Sequence, residues 1–198
     1  YYNCQADGSR YAQVVLRGGG GGAGGGTKTG SGGLSIAGHY TCPSGTFSST
    51  QSTETVAGGA GGNGAIITAI LKVHTGYRIE YDNTYAGSTG AGGARADDLD
   101  LGFTTATQTD VGTSRTGDTG LSGNSCRVLL YAPGASDPSA TIIATGGAGG
   151  TGGTLQVASR CSTGDFVGYN VSSTTGSSGA DGTSSASGAD LETTASSG

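Results

Sequence analysis

The chain has no methionine and no tryptophan, and its 198 residues include only 3 prolines. Lysine occurs twice, at Lys28 and Lys72. Scarce proline beside 43 glycines excludes a collagen triple helix, whose triplets depend on proline. Charged residues make up 12% of the sequence, roughly half the usual share. That excludes a solvated disordered chain of the highly charged kind. Net charge is -5 and no basic stripe exists, which argues against a nucleic-acid partner. No apolar run reaches the roughly 20 residues of a membrane span. The longest, from Ala65 to Val73, is interrupted by Thr68 and Lys72. The run Gly24-Gly25-Gly26-Thr27-Lys28-Thr29 lacks the spacing and the following helix of a phosphate loop. The two histidines, His39 and His74, make no nucleophile–base set with any acid and read as surface residues. An enzyme is therefore not expected. A chain that opens on Tyr1 and holds no methionine reads as processed or as a fragment, its secretion signal removed.

The 4 cysteines are Cys4, Cys42, Cys126 and Cys161. They form no close pair of the zinc-binding kind. An even set without metal spacing fits an oxidising, extracellular compartment and allows three pairings. Loop length favours Cys4–Cys42 and Cys126–Cys161. Each closes about 35 to 38 residues, worth roughly 3 to 4 kcal/mol in the loop-entropy model.

Glycine is what the sequence has instead. It recurs on every third residue in six stretches: Gly18-Gly21-Gly24 (in phase again at Gly30 and Gly33), Gly58-Gly61-Gly64, Gly87-Gly90-Gly93, Gly117-Gly120-Gly123, Gly146-Gly149-Gly152, and Gly176-Gly179-Gly182 with Gly188. Three residues per turn is the period of the polyproline II helix, which has no internal hydrogen bonds. Buried main-chain groups must be paired, so such helices are expected to pack in a layer and bond one another. Glycine on the facing edge lets them approach, and its Cα–H groups add weak bonds to carbonyls.

Between the glycine stretches lie short strand patterns. Tyr11 to Leu16 leads into Gly18. Ala65 to Val73, the turn His74-Thr75-Gly76 and Tyr77 to Tyr81 read as a hairpin. Further strands are expected at 126–131, 140–144 and 154–158, with a turn at Asp137-Pro138. Residues 57–66 match 145–155 almost residue for residue, an internal repeat of glycine stretch and strand. No window carries a helical apolar stripe. The expected fold is all-β: sandwich or jelly-roll-like strands combined with a layer of polyproline II helices, and almost no α-helix. We divide it into a domain over 1–168 and a Gly/Ser/Thr-rich tail over 169–198. By composition the tail is a linker. By phase it is a further helix that docks on its own subunit or on a neighbour.

A strand, a glycine run, a hairpin and then an apolar-Ala-Thr-Gly-Gly segment resemble the glycine-rich domains of phage tail-fibre adhesins and certain receptor ectodomains. The segments that carry the likeness are Val14-Val15-Leu16-Arg17-Gly18 to Gly26, Ile70 to Ile79, and Thr141-Ile142-Ile143-Ala144-Thr145-Gly146-Gly147. They span roughly residues 10 to 160. The resemblance implies β-strands with packed polyproline II helices, and binding or scaffolding without catalytic residues. A weaker likeness is to the glycine-rich antifreeze proteins of springtails.

Other candidate sites are few. Asp97, Asp98 and Asp100 are the one acidic cluster, and with loop carbonyls they could hold calcium. No other cofactor is expected. Asn170-Val171-Ser172 is a glycosylation sequon, and Asn124-Ser125-Cys126 a rarer form. Tyrosines gather early in the sequence, suited to strand packing or a wet interface. The leading expectation is an extracellular structural protein, on a cell or virion surface, that self-assembles into a fibre with its own copies. The alternative is an adhesin that binds a receptor or glycan through loops 39–55 and 94–115. Ice binding is third.

Overall fold

The computed structural model describes residues 2–3, 10–28, 55–82, 89–96, 112–163 and 166–197. Their strands are β1 (Tyr2–Asn3), β2 (Arg10–Arg17), β3 (Thr27–Lys28), β4 (Thr55–Val56), β5 (Ile66–Val73), β6 (Arg78–Tyr81) and β7 (Ser114–Thr116). There follow β8 (Cys126–Tyr131), β9 (Ala140–Ala144), β10 (Thr154–Thr163), β11 (Phe166–Thr174), β12 (Ser184–Gly188) and β13 (Leu191–Ser197). No helix occurs among the described residues, and the fold is all-β. Strands pair antiparallel in the orders β1-β6-β8-β9-β12, β11-β10-β7, β13-β5-β2 and β3-β4.

Six glycine tracts connect these strands: 18–26, 57–65, 89–96, 117–125, 145–153 and 175–183, the first to the sixth. They are neither helix nor strand. Their backbones bond to one another at three-residue intervals, over 2.7 to 3.1 Å. Gly18, Gly21 and Gly24 of the first tract donate to Ala65, Gly62 and Gly59 of the second. Gly19, Gly22 and Gly25 donate to Asn124, Leu121 and Asp118 of the fourth. The carbonyls of Gly20, Ala23 and Gly26 accept from Gly90, Gly93 and Ala96 of the third. Those of Gly19, Gly22 and Gly25 accept from Gly147, Gly150 and Gly153 of the fifth. The remaining bonds complete two rows. Third, first and second tracts form one, and fourth, fifth and sixth lie staggered beneath it. Odd tracts run one way and even tracts the other.

Strand and tract share one register. Arg10 stands opposite Val73 and Arg17 opposite Ile66; Gly18 then bonds Ala65 and Gly24 bonds Gly59; Thr27 pairs with Val56 and Lys28 with Thr55. The ladder passes from β2–β5 through the tracts to β3–β4 without a slip. A second ladder runs from Leu130–Ala140 through Gly123–Gly147 and Gly117–Gly153 to Gln156–Ser114. A third joins β9–β12 to the fifth and sixth tracts and then to β10–β11, until a bulge at Val157/Ser159. The molecule is thus two long layers. They touch through backbone in the middle and part at the ends to admit side chains.

At one end the parted layers are sheets β13-β5-β2 and β1-β6-β8-β9-β12, packed as a sandwich. Alternation in β5 turns Ile67, Ala69, Leu71 and Val73 inward, to meet Leu130, Ala140, Ile142 and Ala144. Leu71, Leu130 and Ile142 are fully buried. Burying each of these residues stabilises the fold by about 1.5 to 3 kcal/mol. The turn sits where the sequence predicts it, with Gly76 at φ 85°, but the expected hairpin does not form: β5 pairs with β2 and β13 and β6 with β1 and β8, so the turn carries the chain from one sheet of the sandwich to the other, where each strand finds a longer partner.

Glycine abundance follows crowding. The first tract touches four others and is glycine throughout except at the exposed Ala23. The sixth touches two and is glycine only at Gly176, Gly179 and Gly182. Positive φ occurs at Gly76, Gly112, Gly134 and Gly188, none of them a tract residue. Space, not backbone freedom, is therefore what the tract glycines supply. A Cβ on Gly18, Gly21 or Gly24 would land on the carbonyl of Thr145, Ala148 or Thr151. Gly58, Gly61, Gly64, Gly90, Gly93, Gly117, Gly120, Gly123, Gly146, Gly149 and Gly152 meet neighbouring carbonyls in the same way. So do glycines outside that phase, such as Gly22, Gly62 and Gly150. Gly87 lies outside the described residues.

Adjacent glycines should therefore differ sharply. At Gly20 an added Cβ finds its nearest atom, the Gly62 carbonyl oxygen, at 3.6 Å, ordinary contact. Gly20→Ala should leave stability within about 1 kcal/mol of wild type, with unfolded-state entropy favouring the variant. Gly21→Ala collides with a neighbouring backbone that has no room to move aside and should cost more than about 3 kcal/mol. Urea unfolding of the pair checks this, and equal midpoints would refute the packed-layer account.

Candidate functional site

The two ends of the tracts differ. One is closed by the sandwich and by the turns after β5, β8 and β12. At the other, β3–β4 and β11-β10-β7 surround a smaller core. Leu155 is fully buried there, Val56 packs near Gly153, and Thr27 is buried with no hydrogen-bond partner for its hydroxyl. Orphaning a buried hydroxyl costs about 1 to 3 kcal/mol.

Both loops singled out in the sequence join this second end. Lys28 and Thr55, which flank the first, are paired in the β3–β4 ladder. Of the second, residues 94–96 belong to the third tract, where Ala96 donates its N–H to Gly26, and residues 114–115 belong to β7. On β7, Ser114 to Thr116 pair antiparallel with Gln156 to Thr154, and the Thr116 and Thr154 hydroxyls lie 2.9 Å apart. Residues 29–54 and 97–111 themselves lie outside the described set, and with them His39, Cys42, Asp97, Asp98 and Asp100. Asn170 is on β11, an edge strand at the same end, opposite Ser159. Exposed Arg95, Arg115 and Asp118 lie at the described rim. Among the described residues, no group of three or more His, Cys, Asp or Glu could hold a metal ion.

The remaining candidates sit at the sandwich end. His74 is half-buried in the turn after β5, 5.4 Å ring to ring from Tyr77. Arg127 pairs with Asp82 at 3.2 Å and Arg78 with Glu80 at 3.0 Å, on the outer face of the five-stranded sheet. Tyr131 lies under the Arg78 guanidinium, 4.6 Å from its ring centroid. A hollow of about 260 Å³ beside Asp82 and Arg127 is also lined by Ser125, Cys126 and Ile143.

Cys126 carries a free thiol that donates to the Arg17 carbonyl at 3.2 Å. Burial pushes this thiol up from its ordinary range. The bridge to Cys161 favoured by loop length is not formed. Cys126 opens β8 at the sandwich end, opposite Ala144, while Cys161 lies far along β10, opposite Gly168. The nine-residue tracts 117–125 and 145–153 stand between them, roughly 28 to 30 Å of extended backbone. A disulfide needs Cα atoms within about 7 Å. Loop length missed this because it counts residues without asking which way the backbone runs. Cys4 and Cys42 lie outside the described residues.

The Ser/Thr-rich C-terminal segment folds on its own chain. Its tract donates from Gly176, Gly179 and Gly182 to Ala57, Ala60 and Asn63. Hydroxyls and a carboxylate reinforce it: the Ser177 and Thr183 N–H groups donate to the Thr151 and Thr145 hydroxyls at 2.7 and 2.6 Å. Asn63 N–H donates to Asp181 at 2.6 Å. Beyond it β12 pairs with β9 and β13 with β5. At the turn between them, the Tyr77 hydroxyl bonds the Asp190 carboxylate and Lys72 N–H donates to the Asp190 carbonyl.

Two outcomes follow from these contacts. Peptide mapping under non-reducing conditions should recover no Cys126–Cys161 linkage, and Cys126 should alkylate slowly in the folded protein. Desolvation first, then the Asp190 charge and hydrogen bond, raise the Tyr77 phenol above its ordinary 10.0. A raised value stabilises the fold fully below pH 10, and that contribution is lost as pH climbs through the folded value. Ultraviolet titration of wild type against Asp190→Asn should show one tyrosine ionising earlier in the variant; coincident curves would remove the clamp.

No protein-family model matches the sequence, and neither a curated protein nor a solved structure matches it.

Proposed function

We propose that this protein is an extracellular recognition module of the adhesin type, its loops held on a rigid glycine shaft. The observation that carries the reading is the common origin of the two long insertions. Both leave and re-enter the end of the tracts opposite the sandwich, from backbone fixed in a hydrogen-bonded register. Loops on a rigid frame are the usual carriers of binding function. The tracts themselves we read as polyproline II helices. Their three-residue bonding period and the absence of positive φ within them support it. The partner class is a cell-surface receptor or glycan, met by tyrosine-poor, hydroxyl-rich loops that contribute Tyr40, Phe47, Phe103 and the Asp97–Asp100 carboxylates.

A fibre-forming structural protein is the second reading. Open strand edges at β11 and β13 favour it. The segment expected to reach a neighbouring copy is paired within its own chain instead, which weighs against a head-to-tail joint made by it.

Replacing residues 30–53, and separately 98–110, by short Gly/Ser turns tests the first reading. Both variants should keep the wild-type melting temperature and lose binding to a glycan array and to intact cells that bind the parent. Unchanged binding in both would reject it, and filaments of wild type under negative stain would favour the second.

A further inference from the structure

Ladders of the sandwich run on as paired tracts. β2–β5 continues as the first and second tracts, β8–β9 as the fourth and fifth, and β9–β12 as the fifth and sixth. The β13–β5 ladder stops. It reaches Ser197 opposite Ile66, and among the described residues no further tract continues it along Ala65 to Ala57. The place so left, beside the second and sixth tracts, has unused backbone along it. The N–H groups of Ala57 and Ala60 and the carbonyls of Gly176, Gly179 and Gly182 bond no other backbone group among the described residues. They recur at the three-residue spacing by which tracts bond. The first tract uses a like set: the N–H groups of Gly90, Gly93 and Ala96 and the carbonyls of Asp118, Leu121 and Asn124. By backbone chemistry alone a seventh tract could lie there.

Side chains stand there instead. The fourth and sixth tracts run the same way. Gly117 and Gly120 precede the fourth-tract donors Asp118 and Leu121, as Thr175, Ser178 and Asp181 precede the sixth-tract donors Gly176, Gly179 and Gly182. A Cβ on Gly117 or Gly120 would land on the carbonyl of Gly25 or Gly22, in the first tract. The same geometry aims Thr175, Ser178 and Asp181 at the place beside the second tract, and all three are exposed. Asp181 marks the direction: its carboxylate accepts the Asn63 N–H at 2.6 Å. At that rung a side chain supplies the acceptor that a seventh tract would supply.

We infer that the row Thr175, Ser178 and Asp181 closes this edge of the tract layers against a glycine tract of a second copy. Unpaired backbone at an edge is a template for adding another chain. Every copy carries glycine tracts of matching period, so its own kind is the partner to be excluded. Closure has two parts. Three side chains occupy positions that covered tracts keep as glycine. An incoming tract would also have to take the Asp181 carboxylate from Asn63 and bury its charge, which is costly without a new partner. In the single molecule the row meets only solvent and costs the fold nothing. Closure is independent of what the insertions bind.

Fluorescence anisotropy on the full-length protein tests the inference, with a labelled synthetic peptide of residues 17–27, the first tract and its flanks, as the probe. Wild type should leave the peptide unbound up to about 1 mM. The combined variant Thr175→Gly, Ser178→Gly and Asp181→Gly should bind it saturably. Asp181→Asn keeps the bulk and an acceptor and should stay closed. Hydrogen exchange at the Asn63 amide gives a second readout. It should quicken at least about tenfold in the glycine variant and slow again as the peptide binds. If that variant fails to fold by circular dichroism, Ser178→Gly with Asp181→Gly takes its place, with the same expected results. Binding by wild type overturns the closure, as does a folded glycine variant that leaves the peptide unbound. Binding that leaves Asn63 exchange unchanged puts the peptide elsewhere and overturns it too.

Discussion

Everything in this fold depends on the empty space where a Cβ would be. Across the middle of the molecule two layers come close enough for backbone N–H of one to reach backbone C=O of the other. The position a Cβ would occupy is held by a carbonyl oxygen of the other layer: Ala148 against Gly21, Ala180 against Gly62, Gly22 against Gly120. Packed β-sheets cannot approach this way, because their side chains hold them about 10 Å apart. Glycine removes the spacer. Beyond the tracts the side chains return and the layers part, over Leu71 and Ile142 at one end and over Val56 and Leu155 at the other.

The unbroken register has a related cause. On the polyproline II reading proposed for the tracts, a strand rises about 3.3 Å per residue and a tract about 3.1 Å. Antiparallel partners can therefore pass from one form to the other while advancing almost equally. The bonding period changes from two to three, and the alignment persists. Period three also gives each tract three directions of bonding, where a strand has two edges. A tract can thus bond neighbours in its own row and in the row below. Ordering glycine costs more backbone entropy than ordering any other residue, and the dense mesh of interlayer bonds offsets it. The first tract, richest in glycine, is also the one bonded to four others.

Much of this was legible in the sequence. Short apolar, β-branched runs located β5, β8 and β9, period-two alternation located β6, and the three-residue period located the tracts. Their mutual arrangement was not legible, because a glycine run has no substituents to say which neighbour it meets. Only the extra glycines outside the main phase, such as Gly22, Gly25, Gly62 and Gly150, hint at further contacts. Strands β12 and β13 were missed for another reason. Ser184–Gly188 and Leu191–Ser197 have almost no intrinsic strand signal. Their form is imposed by the open edges of β9 and β5. The boundary drawn at residue 168 cuts through β11, since composition changes there while the ladder does not. The insertions gave composition only, and that limits the candidate site to its described rim.

Parity explains why one end carries the variable elements. Successive tracts alternate in direction, so connections after the first, third and fifth must emerge at one end, and those after the second and fourth at the other. The second group holds the β5–β6 turn, which crosses between the two sheets of the sandwich, and the β8–β9 hairpin, whose residues build the main core. The first group holds the two long insertions and the β10–β11 hairpin. A change of length there passes no core strand and disturbs no interlayer bond. The ladder ends cleanly at Lys28–Thr55 and at Ser114–Gln156. An up-and-down array of six tracts thus separates a packed foundation from a tolerant rim. Lengthening a loop costs only about 0.6 kcal/mol per doubling, so large insertions at the rim are compatible with the fold. Apolar packing at the opposite end fixes the layers against each other, and the rim inherits that rigidity through backbone bonds alone.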